Sequence, residues 1–198
     1  MRFSRAELAA FRGATLPDLV EPGVRMLFVG VNPGLRTVAV QAHFGRRGNR
    51  FYPALFRAGI VDRLIDASAG LSPDDRSHLV ARGIGITSLV AGATARADEL
   101  SAQELTEGAL ALARRVPEIG PAVVAVLGIT AYRVAFGRPK ATVGRQPQEI
   151  GGAQLWVVPN PSGLNAHATV AGLADAYREA ATAAGIEILD GRPEPGQP

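Results

Sequence analysis

Residues 24–34 read VRMLFVGVNPG. Val24 to Val31 is a short, largely apolar run, the pattern of a strand buried on both faces rather than of a half-exposed one. Asn32-Pro33-Gly34 ends it in a turn, because proline presets one backbone dihedral and glycine supplies the other. Three further runs have the same character: Ile84 to Val90, Pro121 to Leu127 and Gln154 to Val158.

Between these runs lie helix signals. Ser4-Arg5-Ala6-Glu7 and Ser101-Ala102-Gln103-Glu104 have the capping-box form, in which the serine and the glutamate satisfy each other's free backbone amides. Ser72-Pro73-Asp74-Asp75 opens a helix that Gly83 stops. Asn49 to Ala58, Thr130 to Phe136 and Thr169 to Ala184 complete the set, and Leu35 to Gly48 reads as one long loop. Strands that alternate with helices and are apolar throughout predict an α/β fold. The expectation is a three-layer α/β/α sandwich around a short, mainly parallel central sheet, with room for one unassigned edge strand. The chain has 198 residues, which suits one domain, expected over 1–190, with a flexible C-terminal tail at 191–198.

Composition removes several chemistries. There is no cysteine, which excludes a disulfide scaffold, a thiolate metal site, an iron–sulfur cluster and a cysteine nucleophile. The three histidines, His43, His78 and His167, lack metal-ligand spacing. No metal or cofactor is expected. Gly30-Val31-Asn32-Pro33-Gly34 is neither a G-x-G-x-x-G loop nor a Walker A loop. No apolar run reaches membrane-span length and no apolar signal segment opens the chain, so the expected location is the cytoplasm.

Charge placement says more than the net value of +3. Residues 22–61 hold no acid, yet Arg25, Arg36, Arg46, Arg47, Arg50 and Arg57 fall there. Residues 119–148 and 150–174 are also free of acid. If these stretches share a face, that face suits a polyanion.

Ligands of an open parallel sheet bind beyond the carboxyl ends of its strands. Here those ends carry Asn32-Pro33-Gly34, the segment with Thr94 and Asp98, Gly128-Ile129-Thr130, and Asn160-Pro161-Ser162-Gly163-Leu164. Either Asn-Pro step alone is most simply a turn. Two of them on one sheet edge point to a shared site. Phe44 is either a stacking surface for a base or an anchor that pins its loop. Asp98 is either a general base or the cap of the helix that follows.

In order along the chain, LFVGVNPG at 27–34, GNRFYPALFRAG at 48–59, GITSLV at 85–90, the spaced Thr94 and Asp98-Glu99, and LWVVPNPSGL at 155–164 resemble the mismatch-specific uracil-DNA glycosylases, bacterial relatives of thymine-DNA glycosylase. The resemblance spans roughly residues 24 to 185. It implies removal of uracil, or a related damaged or mismatched pyrimidine, from double-stranded DNA; a monomer is the default expectation. It also implies that Asn32 positions the attacking water and that Gly30, Val31 and Phe44 form the base pocket. Asn160, Pro161, Ser162, Gly163 and Leu164 would form the loop that enters the duplex, with Leu164 as its wedge. Arg46, Arg47, Arg50 and His167 are candidates for the DNA backbone, and Asp98 is the second catalytic candidate. After the wedge position the family carries an arginine that reads the opposite guanine, whereas this chain has Asn165-Ala166-His167. Two other readings stay open: a non-catalytic binder of damaged DNA with the same pocket, and a hydrolase of small nucleosides or sugar phosphates.

Overall fold

A computed structural model of the chain describes residues 3–163 and 168–189. The expected tail at 191–198, the wedge residue Leu164 and His167 lie outside the described residues.

The elements in order are α1 (Arg5–Ala9), β1 (Met26–Gly30), α2 (Leu35–Ala39), α3 (Phe51–Arg57), α4 (Pro73–Ala81), β2 (Ile84–Ser88), α5 (Ala102–Ile119), β3 (Val123–Leu127), α6 (Ile129–Ala135), β4 (Gly144–Ile150), β5 (Ala153–Val158) and α7 (Val170–Ala183). A single 3₁₀ turn, Ala97–Glu99, precedes α5. Among the described residues, no helix is long and apolar enough to cross a membrane.

The sheet runs β2-β1-β3-β5-β4. The first four strands of that order are parallel, and β4 runs antiparallel to β5. Successive residues of β1 serve opposite layers. Met26 and Phe28 pack with Phe51 and Leu55 of α3 and with Leu173 and Tyr177 of α7. Leu27 and Val29 pack with Leu112 and Val116 of α5 and Tyr132 of α6. Each such side chain contributes about 1.5–3 kcal/mol when fully buried, which is why the central strands are apolar without alternation. This is the α/β/α sandwich expected from the sequence.

Local signals work as read. Ser4 and Glu7, and Ser101 and Glu104, form reciprocal capping boxes. Ser72 and Thr169 cap α4 and α7 through their hydroxyls. One expectation needs correction and one gap is filled. The segment after Gly34 opens with α2 before it becomes a loop, because Thr37 and Val38 turn inward and are buried. The unassigned edge strand is β4, GRQPQEI, which carries Pro147 and a register shift between Arg145 and Glu149. A strand with a proline and a polar sequence is tolerated at an edge, where one side of the backbone ladder needs no partner.

Candidate active site

The carboxyl ends of β1 and β2 are joined backbone to backbone. Leu89 and Val90 donate to the carbonyls of Gly30 and Val31 at 2.9 and 3.0 Å, and Thr94 N donates to the Pro33 carbonyl at 3.2 Å. Asn32 reaches across this seam. Its Nδ2 donates to the Gly92 carbonyl at 3.1 Å and to Thr94 Oγ1 at 2.8 Å. A carbonyl can only accept, so the nitrogen must be the atom facing Gly92. Oδ1 is thereby turned the other way. Thr94 Oγ1 donates in turn to the Arg96 carbonyl at 2.8 Å.

Asn32 lines a cleft of about 800 Å³ at this edge of the sheet. That volume falls in the range of small-molecule pockets. Gly30, Val31, Phe44 and Asn160 line it as well. Phe44 has a φ of +57°, a left-handed conformation that costs a bulky side chain energy. It is held there by Phe51, with ring centroids 4.1 Å apart and planes 29° from parallel. A Cβ at Gly30 would lie 3.6 Å from both the Phe44 ring and Ser88 Oγ, so glycine keeps the space beside the ring clear. Phe44 therefore anchors its loop and forms a wall of the cleft.

The neighbouring His43 is buried. Burial lowers its pKa and the Pro17 carbonyl acts in the opposite direction. The neutral ring donates from Nε2 to that carbonyl at 3.0 Å. The buried Tyr52 hydroxyl donates to the His43 carbonyl at 2.9 Å, so residues 43–44 are pinned from two sides.

Asp98 lies in the 3₁₀ turn and also lines the cleft. It does not cap α5, since Ser101 holds that position. Arg96 grips both its oxygens, from Nε at 3.0 Å and from Nη2 at 2.5 Å, and the pair is exposed. The hydrogen bonds and charge of Asp98 raise the Arg96 pKa.

At the end of β5, Asn160 Oδ1 accepts from Ser162 N at 2.9 Å and turns the chain. Ser162 lines the cleft, Pro161 is buried, and Gly163 is exposed. A Cβ at Gly163 would come within 2.8 Å of the Gly48 carbonyl, so this loop rests closely on the start of α3.

The arginines divide. Arg46 is exposed and lines the cleft, while Arg47 is exposed outside the lining. Arg50, expected at the DNA backbone, is instead turned inward and partly buried. Its guanidinium donates to the Ser162 carbonyl at 2.5 Å and to the Ala168 carbonyl, and its backbone N donates to the Pro161 carbonyl at 3.0 Å. Two main-chain carbonyls accept from the two terminal nitrogens of a guanidinium that would otherwise be stranded in a half-buried site.

All three acid-free stretches supply lining residues. Among the described residues the one acid in the lining, Asp98, is neutralised by Arg96. Thr94 and Ser88 are the site residues that sequence reasoning left without a role. The signal for Thr94 was its place beyond β2, at the ligand-binding end of a parallel sheet.

Two comparisons bear on this geometry. A solution NMR structure of a protein from Methanosarcina acetivorans, provisionally named a uracil DNA glycosylase, superposes with a TM-score of 0.54. It shares 15% sequence identity and covers 84% of this chain and 98% of its own, a likeness of fold. The family profile of the Uracil DNA glycosylase superfamily matches residues 17–183, a span that holds the whole cleft lining. The chain belongs to the Uracil DNA glycosylase superfamily, whose members hydrolyse the bond between uracil and DNA at the start of base excision repair.

Proposed function

We propose that the chain is a mismatch-type uracil-DNA glycosylase. It takes uracil, or a related mismatched or damaged pyrimidine, out of duplex DNA and hydrolyses its N-glycosidic bond. The observation that carries this reading is the Asn32 amide, held nitrogen-inward by Gly92 and Thr94 at 3.1 and 2.8 Å on the wall of the cleft.

The chemistry follows from that placement. A base inside the helix is out of reach, so its nucleotide must be extruded at a cost of a few kcal/mol. The loop from Asn160 through Leu164 supplies the insertion, and an apolar wedge offsets part of the lost stacking. Phe44 gives the extruded base a flat surface. Asn32 Oδ1 accepts a hydrogen bond from water and turns the water oxygen toward C1′. The C1′–N1 bond breaks with its electron pair moving to the base, and the water oxygen bonds to C1′. The products are free uracil and an abasic sugar. An amide cannot take the water's proton, so the proton leaves to solvent or to the departing base. Much of the acceleration then comes from orientation and from fixed dipoles around the developing charges. Asp98 enters this reading as a charge at the lip, neutralised by Arg96, rather than as a base.

The test is base release under enzyme excess from labelled G·U, A·U and G·T duplexes and single-stranded uracil, read as strand cleavage after alkali. Release from G·U that collapses in Asn32→Ala is the expected result. Salt-sensitive binding without release from any substrate would move the protein to the damage-binder reading. Absence of salt-sensitive DNA binding would favour a small-molecule hydrolase.

A further inference from the structure

We propose that Thr94 is a positioning residue for this reaction, and that with the Gly92 carbonyl it makes position 32 a site for an amide rather than for a carboxylate. The inference rests on the role given to Asn32 above. Each N–H of the Asn32 amide has its own acceptor, the Gly92 carbonyl at 3.1 Å and Thr94 Oγ1 at 2.8 Å. The hydroxyl has one hydrogen, and it goes to the Arg96 carbonyl at 2.8 Å. Thr94 is therefore committed as an acceptor where it faces Asn32. A relay runs from the Arg96 carbonyl through the Thr94 hydroxyl to Nδ2, and it leaves Oδ1 as the one atom of the amide available to the cleft.

The relay is itself anchored. Thr94 N donates to the Pro33 carbonyl at 3.2 Å, so Thr94 is tied to the same turn as Asn32. Arg96 N donates to Glu99 Oε1 at 2.9 Å, and Glu99 is paired with Arg12 at 2.5 Å. The Arg96 guanidinium is gripped by Asp98. The acceptor that orients Thr94 is fixed from both sides.

A carboxylate at position 32 would meet this arrangement badly. One oxygen would face the Gly92 carbonyl at a distance where two acceptors repel. It must keep a proton there or swing out of the seam. A protonated carboxyl would imitate the amide, with one oxygen donating inward and the other accepting in the cleft. The other charged or titratable groups at this corner are Arg96, Asp98 and Glu99 beyond β2, Arg12 on Glu99, and His43 and Arg46 across the cleft.

The experiment measures single-turnover release from G·U together with duplex affinity by fluorescence anisotropy. Thr94→Val is expected to slow release about tenfold, the equivalent of one lost hydrogen bond in the transition state, with affinity unchanged. Thr94→Ser, which keeps the hydroxyl, is expected to restore release. Full activity of Thr94→Val beside a collapsed Asn32→Ala would overturn the inference and leave the Asn32 role standing. Full activity of Asn32→Ala would overturn the Asn32 role itself.

If Thr94→Val melts early, Asn32→Asp decides. Its rate relative to wild type is expected to rise as pH falls from about 8 to about 5, as acid supplies the hydrogen that the Gly92 carbonyl demands. A relative rate that rises with pH would mean that the new carboxylate serves as a base, and would overturn the inference.

Discussion

Asn32-Pro33 and Asn160-Pro161 close two parallel strands with the same dipeptide, yet the two amides face opposite ways. Asn160 turns its oxygen onto its own chain, accepting from Ser162 N at 2.9 Å, the local bond by which asparagine makes a turn. Asn32 turns its nitrogen onto a different loop, to Gly92 and Thr94. The Asn160 oxygen thus serves local turn chemistry. Asn32 is satisfied some sixty residues away, at |i−j| of 60 and 62, and its acceptor oxygen is left for a ligand. An asparagine whose nitrogen is tied off at long range is a pre-set acceptor, whereas one whose oxygen is tied off locally is a bend. The supports differ too. The β1 turn is held by main-chain hydrogen bonds to the segment after β2, whereas the β5 turn adds to its main-chain bond, from Arg50 N to the Pro161 carbonyl at 3.0 Å, the grip of the Arg50 guanidinium on the Ser162 carbonyl.

The largest expected effect falls on the first of these turns. Asn32→Ala should slow single-turnover release on the order of a hundredfold, the size seen when one preorganised polar group is removed. Loss of its two hydrogen bonds to Gly92 and Thr94 should cost about 2 kcal/mol of stability. If Asn160→Ala slowed release as much, the contrast between the two turns would fail.

Arg50→Met comes next and tests the contrast in support. Two charge-assisted hydrogen bonds to carbonyls are lost, but those carbonyls lie near the surface and regain water, so a stability loss of about 2 kcal/mol is expected. Release from G·U duplex should fall, while release from uracil in a single strand, where no stack is opened, should hold. Equal loss on both substrates would show that Arg50 supports the fold at large rather than the β5 loop.

Much of this was legible in the sequence, for physical reasons. Buried parallel strands such as Met26–Gly30 and Val123–Leu127 are apolar at every position, so their type and order can be read directly. Capping boxes act over three residues and are equally plain. β4 escaped because its pattern, GRQPQEI, is polar and contains Pro147, which an edge strand permits and a central one does not. α2 escaped because five residues are too few to show a helical period. At the site, Asn32 could be placed by the strand-end rule, but its partners Gly92 and Thr94 follow from how two loops meet. Arg50 shows the same limit from the other side. An arginine in an acid-free stretch reads as a phosphate ligand, and nothing nearby in sequence announces the carbonyls of Ser162 and Ala168.

Asn160→Ala should have a smaller effect than either. Losing the neutral bond from Ser162 N to Asn160 Oδ1 in a partly exposed turn costs about 1 kcal/mol. Thermal melting should register it, and release should fall by no more than about tenfold. An effect as large as that of Arg50→Met would mean that the turn's own bond, and not the guanidinium brace, sets the loop.

The smallest effect concerns His43, which stiffens the cleft wall on the β1 side. Burial disfavours its charged form and so lowers its pKa below the usual 6.5; the Pro17 carbonyl and Asp18 pull it up, and Arg76 pushes it down. In the unfolded chain the ring takes up a proton near pH 6.5, while in the fold it does so only at lower pH. Between those two values the unfolded state binds more protons, so stability is complete above about pH 6.5 and declines as pH falls toward the folded pKa. His43→Gln can keep a donor toward the Pro17 carbonyl at 3.0 Å but cannot titrate. Wild type should therefore lose more melting temperature than His43→Gln between about pH 7 and about pH 5, with the two converging above pH 7. Parallel acid limbs would show that the ring is charged as readily in the fold as out of it, and that the Phe44 wall rests on Phe51 and Tyr52 without a contribution from a neutral His43.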